Sequence, residues 1–233
     1  MKITKSKIIG LILIGFVVLY FLARVFNLIQ FYSNETPAME PTLKKGTTML
    51  ATNLKPPARN SIVAFKVNSL RNAAEESTHV SRIIGLENET IEIKDGIVLI
   101  DGNTVDHPFE ILSAIKMQYN DYVQLSEKHN LELVNPNQPV GQHAFVYMTN
   151  SEVKILEDQI DFKPLDLPIS GNRKYRINKI VKKGWSTNNF GPIKVPENHF
   201  FMISDNRNNC LDSRFYGFIG KDKIIGTTVI AGI

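Results

Sequence analysis

Residues 204–219 read SDNRNNCLDSRFYGFI, and this stretch says more about the fold than any other part of the chain. From Asp205 to Gly217 it follows the pattern D-N-R-x-N-x-x-D-S-R-[FY]-[FYW]-G, which is too specific over 13 positions to arise by chance. Short apolar runs typical of strands flank it, at Phe200–Ile203 and Ile224–Ile230. The polar run therefore lies between two predicted β-strands.

The chain beyond residue 33 consists mainly of short apolar runs separated by turn residues. Further strand candidates are Ile62–Val67, Val80–Ile84, Thr90–Ile93, Ile97–Ile100 and Ala144–Met148. Lys94-Asp95-Gly96 separates two of them, and an Asp-Gly pair supplies the positive φ angles of a tight hairpin turn. The sequence therefore predicts a mainly β fold.

Two segments have a helical character. Val153, Leu156 and Ile160 follow helical spacing after the capping-type pair Asn150-Ser151, which predicts a short helix. The segment 113–133 is ambiguous and is a candidate for another helix.

The domain organisation follows from the distribution of strands. The region 107–183 separates two strand-rich parts, and we interpret it as an inserted second lobe. Residues 33–106 and 184–233 then form a β core that is noncontiguous in sequence.

The N-terminal region contains the uninterrupted apolar run Ile8–Ala23. This run is slightly shorter than the roughly 20 residues that a spanning helix needs, but it can continue if Arg24 extends its guanidinium to the interface. Phe31 and Tyr32 then lie where an aromatic belt is expected. Since the run does not end in the small-x-small site of a cleaved signal peptide, we predict a retained transmembrane anchor at residues 8–29.

The formal charge of +4 is confined to the N-terminus. The charged residues among the first 33 are Lys2, Lys5, Lys7 and Arg24, which leaves 23 basic and 23 acidic residues in the remainder. This balance gives no electrostatic basis for nucleic-acid binding. The positive-inside rule places residues 1–7 in the cytoplasm and everything after residue 33 on the outer side.

Cysteine and histidine usage limits the chemistry. The chain has one cysteine, Cys210, so an intramolecular disulfide is excluded. No metal or other cofactor is predicted, because the five histidines lack ligand spacing. They are His79, His107, His129, His143 and His199.

Several segments, taken in order behind one anchor, resemble the signature boxes of the bacterial type I signal peptidases. They are Thr36–Leu43 (TPAMEPTL), Arg59–Lys66 (RNSIVAFK), Ser81–Leu86 (SRIIGL) and the run at 204–219. The resemblance covers the anchor and residues 36–100 and 185–233, roughly two-thirds of the chain. The second lobe corresponds to the part of the family that varies most.

The resemblance implies a definite fold and role. The fold would be two antiparallel β-sheet lobes behind one transmembrane helix, with a groove near the membrane surface. A signal peptide of a secreted preprotein would bind there as an added strand, with backbone hydrogen bonds for affinity and side-chain pockets for specificity. The lipid bilayer would be the other partner, facing the apolar surface around Met39. The location would be the bacterial cytoplasmic (inner) membrane, single-pass, with the C-terminal domain outside.

The chemistry implied by the resemblance is a serine deprotonated by a neutral lysine, and this sequence departs from it. The position of the nucleophile is Ala38, which has no attacking atom, and the position of the base is Ser81. The serine that would orient the base is replaced by Cys210, whereas Thr36 stands at the oxyanion-hole position and keeps a hydroxyl donor. Losing a member of such a unit costs about 10⁴–10⁶ in rate.

The residues that support the site remain. Those matched by the resemblance are Met39, Pro41, Arg82, Asp205, Asn206, Arg207, Asp212, Ser213 and Arg214. Among them Arg82, Asp205, Asp212 and Arg214 correspond to structural ion pairs beside the site. The supporting residues are therefore present while the chemical ones are absent.

Three hypotheses for the function follow. The first is a catalytically impaired or inactive family member that binds signal peptides, or an active paralogue, without cutting. The second is an active endopeptidase in which His79 serves as a substitute base for Thr36 or Ser81, because His79 and Ser81 share a face of one strand. A Cys210 nucleophile paired with His79 is a weaker version of the second. The third, a structural membrane protein, requires a closed groove.

Overall fold

The computed structural model describes residues 5–26, 28–70, 72, 74–105, 107–135, 141–169 and 178–231. The α-helices are α1 (Lys5–Val25), α2 (Tyr119–His129), α3 (Asn150–Leu156) and α4 (Ser213–Tyr216). The strands are β1 (Gln30–Ser33), β2 (Thr48–Thr52), β3 (Ile62–Asn68), β4 (Glu76–Gly85), β5 (Thr90–Lys94), β6 (Ile97–Ile100), β7 (Asn103–Thr104), β8 (Leu112–Gln118), β9 (Glu132–Leu133), β10 (His143–Thr149), β11 (Phe162–Pro164), β12 (Phe190–Lys194), β13 (His199–Ile203), β14 (Ile219–Gly220) and β15 (Ile224–Ala231). Two 3₁₀ helices are Pro37–Met39 and Lys221–Lys223.

The largest sheet is seven-stranded and brings together distant parts of the chain. Its order is β1-β2-β15-β3-β4-β13-β14, with neighbouring strands antiparallel. β3 pairs with β4 so that Val63 lies opposite Ser81 and Phe65 opposite His79. β4 also pairs with β13, where Ile203 lies opposite Arg82. Two of the predicted signature segments are therefore neighbouring strands, and the run at 204–219 begins directly at the end of β13.

A smaller sheet, β12-β5-β6-β7, contains the predicted hairpin. Lys94 lies opposite Ile97, and Asp95 and Gly96 take φ angles of 48° and 82° between them. Both central residues thus have the positive φ that a tight hairpin turn requires, and the hairpin prediction is confirmed. Phe190 of β12 pairs with Ile93, so this sheet joins a segment from each side of the second lobe.

The third sheet, β11-β8-β10-β9, lies within the region predicted as a second lobe. It has a hydrophobic cluster of its own, which consists of Ile115, Met117, Leu131, Ala144, Val146, Met148 and Leu156. α3 begins at a capping box in which Thr149 and Glu152 satisfy each other's backbone N–H groups. The short helix is therefore present, with Thr149 rather than Asn150 as its cap. The boundaries at 107 and 183 stay a prediction.

α1 is the apolar N-terminal helix. Its 21 residues correspond to about 30 Å, the thickness of a bilayer's hydrocarbon core. Lys7–Val25 has a mean hydropathy of 2.6 with none of the segment buried, and by length and composition it is able to cross a membrane. The helix ends at Val25 rather than at residue 29, because residues 30–33 pair with β2 as a strand. Residues 1–4 of the predicted cytoplasmic segment lie outside the described residues.

The prediction of a mainly β, antiparallel fold behind an apolar helix is confirmed. The described strands form three sheets, one within residues 107–183 and two in the remainder of the chain. The smaller of these two sheets arises because β12 follows the second lobe in sequence and pairs with β5. The two strands are about 100 residues apart, so local sequence patterns do not predict this pairing.

Candidate functional site

Ala38 lies in the 3₁₀ helix Pro37–Met39, directly after the first strand of the large sheet. Thr36 caps this helix, and its Oγ1 accepts a hydrogen bond from the Ala38 N–H at 3.4 Å. The Asn206 N–H donates to the Ala38 carbonyl at 3.0 Å, which fixes the turn against the polar run. The position predicted for the nucleophile is therefore held firmly, but its side chain ends in a methyl group.

A cleft of about 440 Å³ opens beside Ala38. It is lined by residues 33–38, 78–80 and 208–211, together with Leu167 and Phe215. Three segments far apart in sequence therefore meet here. Of the predicted site residues, the structure brings Thr36, Ala38, His79 and Cys210 together around this cleft.

Ser81 lies one layer deeper, and only 1% of its surface is exposed. Its hydroxyl is 3.1 Å from the hydroxyl of Ser204, which is equally buried. The Ser204 N–H in turn donates to Asp212 Oδ2 at 3.0 Å. Ser204 was not predicted as a site residue, because a serine at the end of a strand has no distinguishing spacing. Its position directly before Asp205 was the one signal in the sequence that could have indicated a role in the site.

Cys210 connects the cleft to this buried network. Its thiol donates to Asp212 Oδ2 at 3.3 Å and accepts from Arg214 Nη2 at 3.1 Å. Burial, reinforced by the negative charge of Asp212, raises the pKa of the Cys210 thiol to about 12. The thiol is therefore protonated at neutral pH, in contrast to the thiolate that nucleophilic cysteines require.

Asp212 and Arg214 form a fully buried ion pair. Arg214 Nε and Nη2 donate to the two carboxylate oxygens of Asp212 at 3.0 and 2.8 Å, and the side-chain exposure is 1% and 0%. Burial alone would raise the pKa of the Asp212 carboxyl, but the adjacent guanidinium holds it below its usual value. Arg214 also donates to the backbone carbonyls of Thr187 and Arg207, so the pair anchors two loops.

Arg82 and Asp205 form a second buried pair that joins β4 to the polar run. Arg82 Nε donates to Asp205 Oδ1 at 2.8 Å, and the Thr42 hydroxyl donates to the other carboxylate oxygen. Arg82 also donates to the Asn60 carbonyl at 2.8 Å, and its guanidinium lies 3.7 Å from the centre of the Phe109 ring. Thr42 was not among the predicted site residues, although it stands in the first signature segment.

The remaining predicted residues have structural positions. The Ser213 hydroxyl accepts from the Met202 N–H at 2.9 Å, and Asn206 Oδ1 accepts from the Asn209 N–H at 3.2 Å. Pro41 follows a cis peptide bond. Met39 is fully buried in a cluster with Leu43, Met49 and Ala64. The expectation of an apolar surface around Met39 is thus corrected for Met39 itself, which packs into the core.

His79 is half-buried at the end of the cleft. Its Nε2 is 3.0 Å from the Tyr216 hydroxyl and 3.0 Å from the Ser77 hydroxyl. Burial lowers the pKa of its imidazole, so the ring is neutral near pH 7. Within the described residues, no hydrogen bond joins His79 to Thr36, Ser81 or Cys210.

The described part of the chain contains no group of three or more His, Cys, Asp or Glu residues that could hold a metal ion. The side chains that line the cleft include hydroxyl, thiol and imidazole groups, the carboxylate of Glu35 and the amides of Asn34, Asn208 and Asn209.

Comparison with known proteins identifies the family. A family model described as "Signal peptidase, peptidase S26" matches residues 6–232. Signal peptidase I P of Bacillus subtilis subsp. natto is 28% identical over 233 residues, covering 96% of this chain and 87% of that protein. Signal peptidase I of Aquifex aeolicus (strain VF5) is 25% identical over 237 residues, covering 97% and 83%. A crystal structure of a signal peptidase I from Enterococcus faecalis V583 matches with a TM-score of 0.35 and 22% identity, covering 75% of this chain and 98% of that chain.

The family match extends over nearly the whole described chain, from the apolar helix to the last strand. The chain therefore belongs to the signal peptidase family, peptidase S26.

Proposed function

We propose that this protein acts on the signal peptides of secreted preproteins at the outer face of the membrane, as a catalytically impaired or inactive member of its family. It binds the peptide in the cleft beside Ala38 and does not cut it.

The observation that carries this proposal is the chemistry of the cleft at Ala38. The nucleophile position offers a methyl group, and Ser81 at the base position is buried with its hydroxyl against that of Ser204. A serine hydroxyl does not accept a proton near neutral pH, so Ser81 supplies no base. The Cys210 thiol, held protonated by burial and by Asp212, supplies no strong nucleophile.

The shape of the site supports continued peptide binding. The cleft lies between the segment 33–38 and residues 78–80 of β4, where Thr78 is exposed and the next two residues are half-buried. An extended peptide placed there has strand backbone along its side, as β-augmentation requires. The volume of about 440 Å³ is sufficient for several small side chains, so the third hypothesis, a structural protein with a closed groove, is disfavoured.

The orientation of the protein rests on its charge distribution. Lys2, Lys5 and Lys7 precede the apolar helix, and the positive-inside rule then directs the β-rich domain to the outer face. An active paralogue is a second candidate partner, because a protein that binds signal peptides without cutting them is able to present them to one that cuts.

An active endopeptidase remains the competing proposal, and one observation favours it. His79 and Thr36 line the same cleft, and burial keeps the His79 imidazole neutral, as a general base requires. Against it, the His79 ring is engaged with Tyr216 and Ser77, and the Thr36 hydroxyl caps the 3₁₀ helix.

The test is cleavage of a preprotein with a small-x-small site by the full-length protein in detergent. The unmodified chain is compared with Ala38→Ser, Ser81→Lys and the double variant, and binding of a labelled signal peptide is measured for each. We expect peptide binding by all four proteins and cleavage by the double variant alone.

Each outcome separates the hypotheses. Cleavage by the unmodified chain that is lost in His79→Gln would establish the competing proposal. Absence of peptide binding by the unmodified chain would overturn the proposed function altogether. Binding by all variants without cleavage by the double variant would leave the proposal standing and locate a further deficiency in the site.

A further inference from the structure

Arg207 differs from the other two arginines of the polar core. Arg82 and Arg214 each pair with a carboxylate. Arg207 is only 6% exposed, yet within the described residues its guanidinium forms no hydrogen bond or ion pair, and its Nε is fully buried without a partner. Because buried N–H donors without an acceptor are unfavourable, this arrangement favours an acceptor group from outside the protein.

Arg207 lines a second cleft of about 260 Å³, which shares no lining residue with the cleft beside Ala38. This Arg207 cleft lies where the hairpin turn at Asp95 and Gly96 meets the second lobe. Its volume exceeds the roughly 30 Å³ that a water molecule occupies in the liquid several times over, so it can hold a small organic group.

Burial lowers the pKa of Arg207 to about 10, with a smaller contribution from the positive charge of Arg214. The side chain is still charged at neutral pH. The nearby carboxylates of Asp205 and Asp212 are each bound to another arginine. Asp212 and Asp205 offset part of this lowering electrostatically, but neither accepts a hydrogen bond from the Arg207 guanidinium, so its N–H donors stay available to the cleft.

The lining of the cleft indicates the kind of anion. A planar guanidinium matches both carboxylate and phosphate, and Ser113 and Asn150 add a hydroxyl and an amide. Most other lining groups are apolar, including Ile97, Ile111 and Phe162. Asn188 adds a second amide, and Asp95 adds a carboxylate at the exposed hairpin turn. An apolar wall penalises a doubly charged phosphate and accommodates a hydrocarbon stem, so a singly charged carboxylate fits better.

We propose that the Arg207 cleft binds a monocarboxylate carried on an apolar stem, at the junction of the hairpin sheet and the second lobe. The guanidinium takes the carboxylate, and the apolar walls take the stem. Such a group occurs both in short fatty acids and at the free C-terminus of a peptide that ends in an apolar residue.

Binding at this cleft is expected to influence the first cleft. The Arg207 N–H donates to the Leu112 carbonyl of the second lobe, and its own carbonyl accepts from Arg214 Nη2. A ligand on the guanidinium therefore stiffens a backbone segment that holds both the second lobe and the buried pair beside Cys210.

The experiment is calorimetric titration of the full-length protein in detergent with hexanoate and, as a neutral control of similar partitioning, hexanamide. A second pair of probes is a short peptide ending in leucine with a free or an amidated C-terminus. The variants are Arg207→Met, and Ile97→Glu with Ile97→Gln as its matched control. Ile97 is 57% exposed at the rim, so both changes there are compatible with folding.

We expect saturable binding of an acid but not of its amide, loss of binding in Arg207→Met, and at least tenfold weaker binding in Ile97→Glu than in Ile97→Gln. Binding of hexanoate alone identifies a free small molecule, and binding of the peptide acid alone identifies a chain terminus. Equal binding of acid and amide, no binding of either acid, or affinities unchanged by Ile97→Glu would overturn the proposal, even if Arg207→Met failed to fold.

Discussion

The buried ion pairs and the replaced reactive positions lie within one network but differ in what holds them in place. The pairs Arg82–Asp205 and Asp212–Arg214 are buried, and in each pair two guanidinium nitrogens donate hydrogen bonds to the two carboxylate oxygens. We call these four residues the ion-pair frame. Ala38, by contrast, makes no such contacts: it is 9% exposed and lines the open cleft.

This difference means that the ion-pair frame and the nucleophile position contribute to different properties, the frame to folding and the nucleophile position to catalysis. Removing one member of a buried pair leaves an uncompensated charge, so the frame is required for stability whether or not the protein cuts peptides. Ala38 carries no charge and makes no side-chain hydrogen bond, so a substitution at the nucleophile position is expected to cost the fold little. The presence of the frame, formed by Arg82 and three residues of 204–219, is therefore evidence for the architecture and says nothing about activity.

The largest effect is expected from breaking the frame. Asp212→Asn keeps the shape of the side chain but leaves Arg214 without its counter-charge and weakens the acceptor for the Ser204 N–H. We expect a loss of about 3–5 kcal/mol in the free energy of unfolding. Chemical denaturation of the full-length protein in detergent measures it.

The matched control is Glu87→Ala, which removes the partner of Lys221 in an exposed ion pair. Screened surface pairs contribute little, so this variant should unfold almost as the unmodified chain does. Similar losses in the two variants would mean that the frame has no special role in stability.

The second prediction concerns Cys210 and the pH dependence of stability. In the folded state the pKa of the thiol is about 12, whereas its ordinary value is 9.0. Between these values the folded state retains a proton that the unfolded state loses, so stability falls as the pH rises from about 9 towards 12. The slope is at most about 1.4 kcal/mol per pH unit.

Cys210→Ser removes this titration while keeping a group that donates a hydrogen bond. The free energy of unfolding of Cys210→Ser is subtracted from that of the unmodified chain, at pH 8 and again at pH 10. This subtraction cancels the titration of the tyrosines and lysines that both proteins contain. We expect the difference to shift against the unmodified chain at the higher pH. A difference that stays constant would place the thiol in contact with solvent.

Some parts of the structure were accessible from sequence because their causes are local. The hairpin at Lys94-Asp95-Gly96 needs positive φ at its centre, and strand β6 begins and ends where the apolar run does. The onset of β4 was missed because its first residues, from Glu76, are polar and half-exposed or exposed. They become strand by pairing with β3, which hydrophobic periodicity does not register.

In the candidate site, too, some residues could be predicted from the sequence and others could not. The signature segments predicted which residues meet, because each carries distinctive residue types. Ser204 and Thr42 were not predicted, since their roles depend on a hydroxyl reaching a partner more than 100 residues away along the chain. The end of α1 at Val25 depends on β1 pairing with β2, and hydropathy alone extended the anchor through the apolar residues that follow.

A third prediction tests whether Ser81 is a structural residue. Its hydroxyl and that of Ser204 are buried together, so Ser81→Ala leaves Ser204 without this partner. We expect a loss of about 1 kcal/mol in the free energy of unfolding. A double-mutant cycle with Ser204→Ala isolates the pair, and a coupling energy near zero would contradict the contact.

The smallest effect is expected at Ala38. Ala38 is 9% exposed but lines the cleft, so we expect a serine hydroxyl there to turn towards the cleft and be solvated. Ala38→Ser should then change the free energy of unfolding by less than about 0.5 kcal/mol. The matched control is Ala64→Ser in the same hydrophobic region, where the residue is fully buried and a hydroxyl would lose its hydration, at a cost of about 1–3 kcal/mol. If Ala38→Ser were as destabilising as Ala64→Ser, the nucleophile position would be closed to water and to peptide. A small change at Ala38 and a large one at Ala64 would establish that the cleft can receive a nucleophile without rearranging the fold.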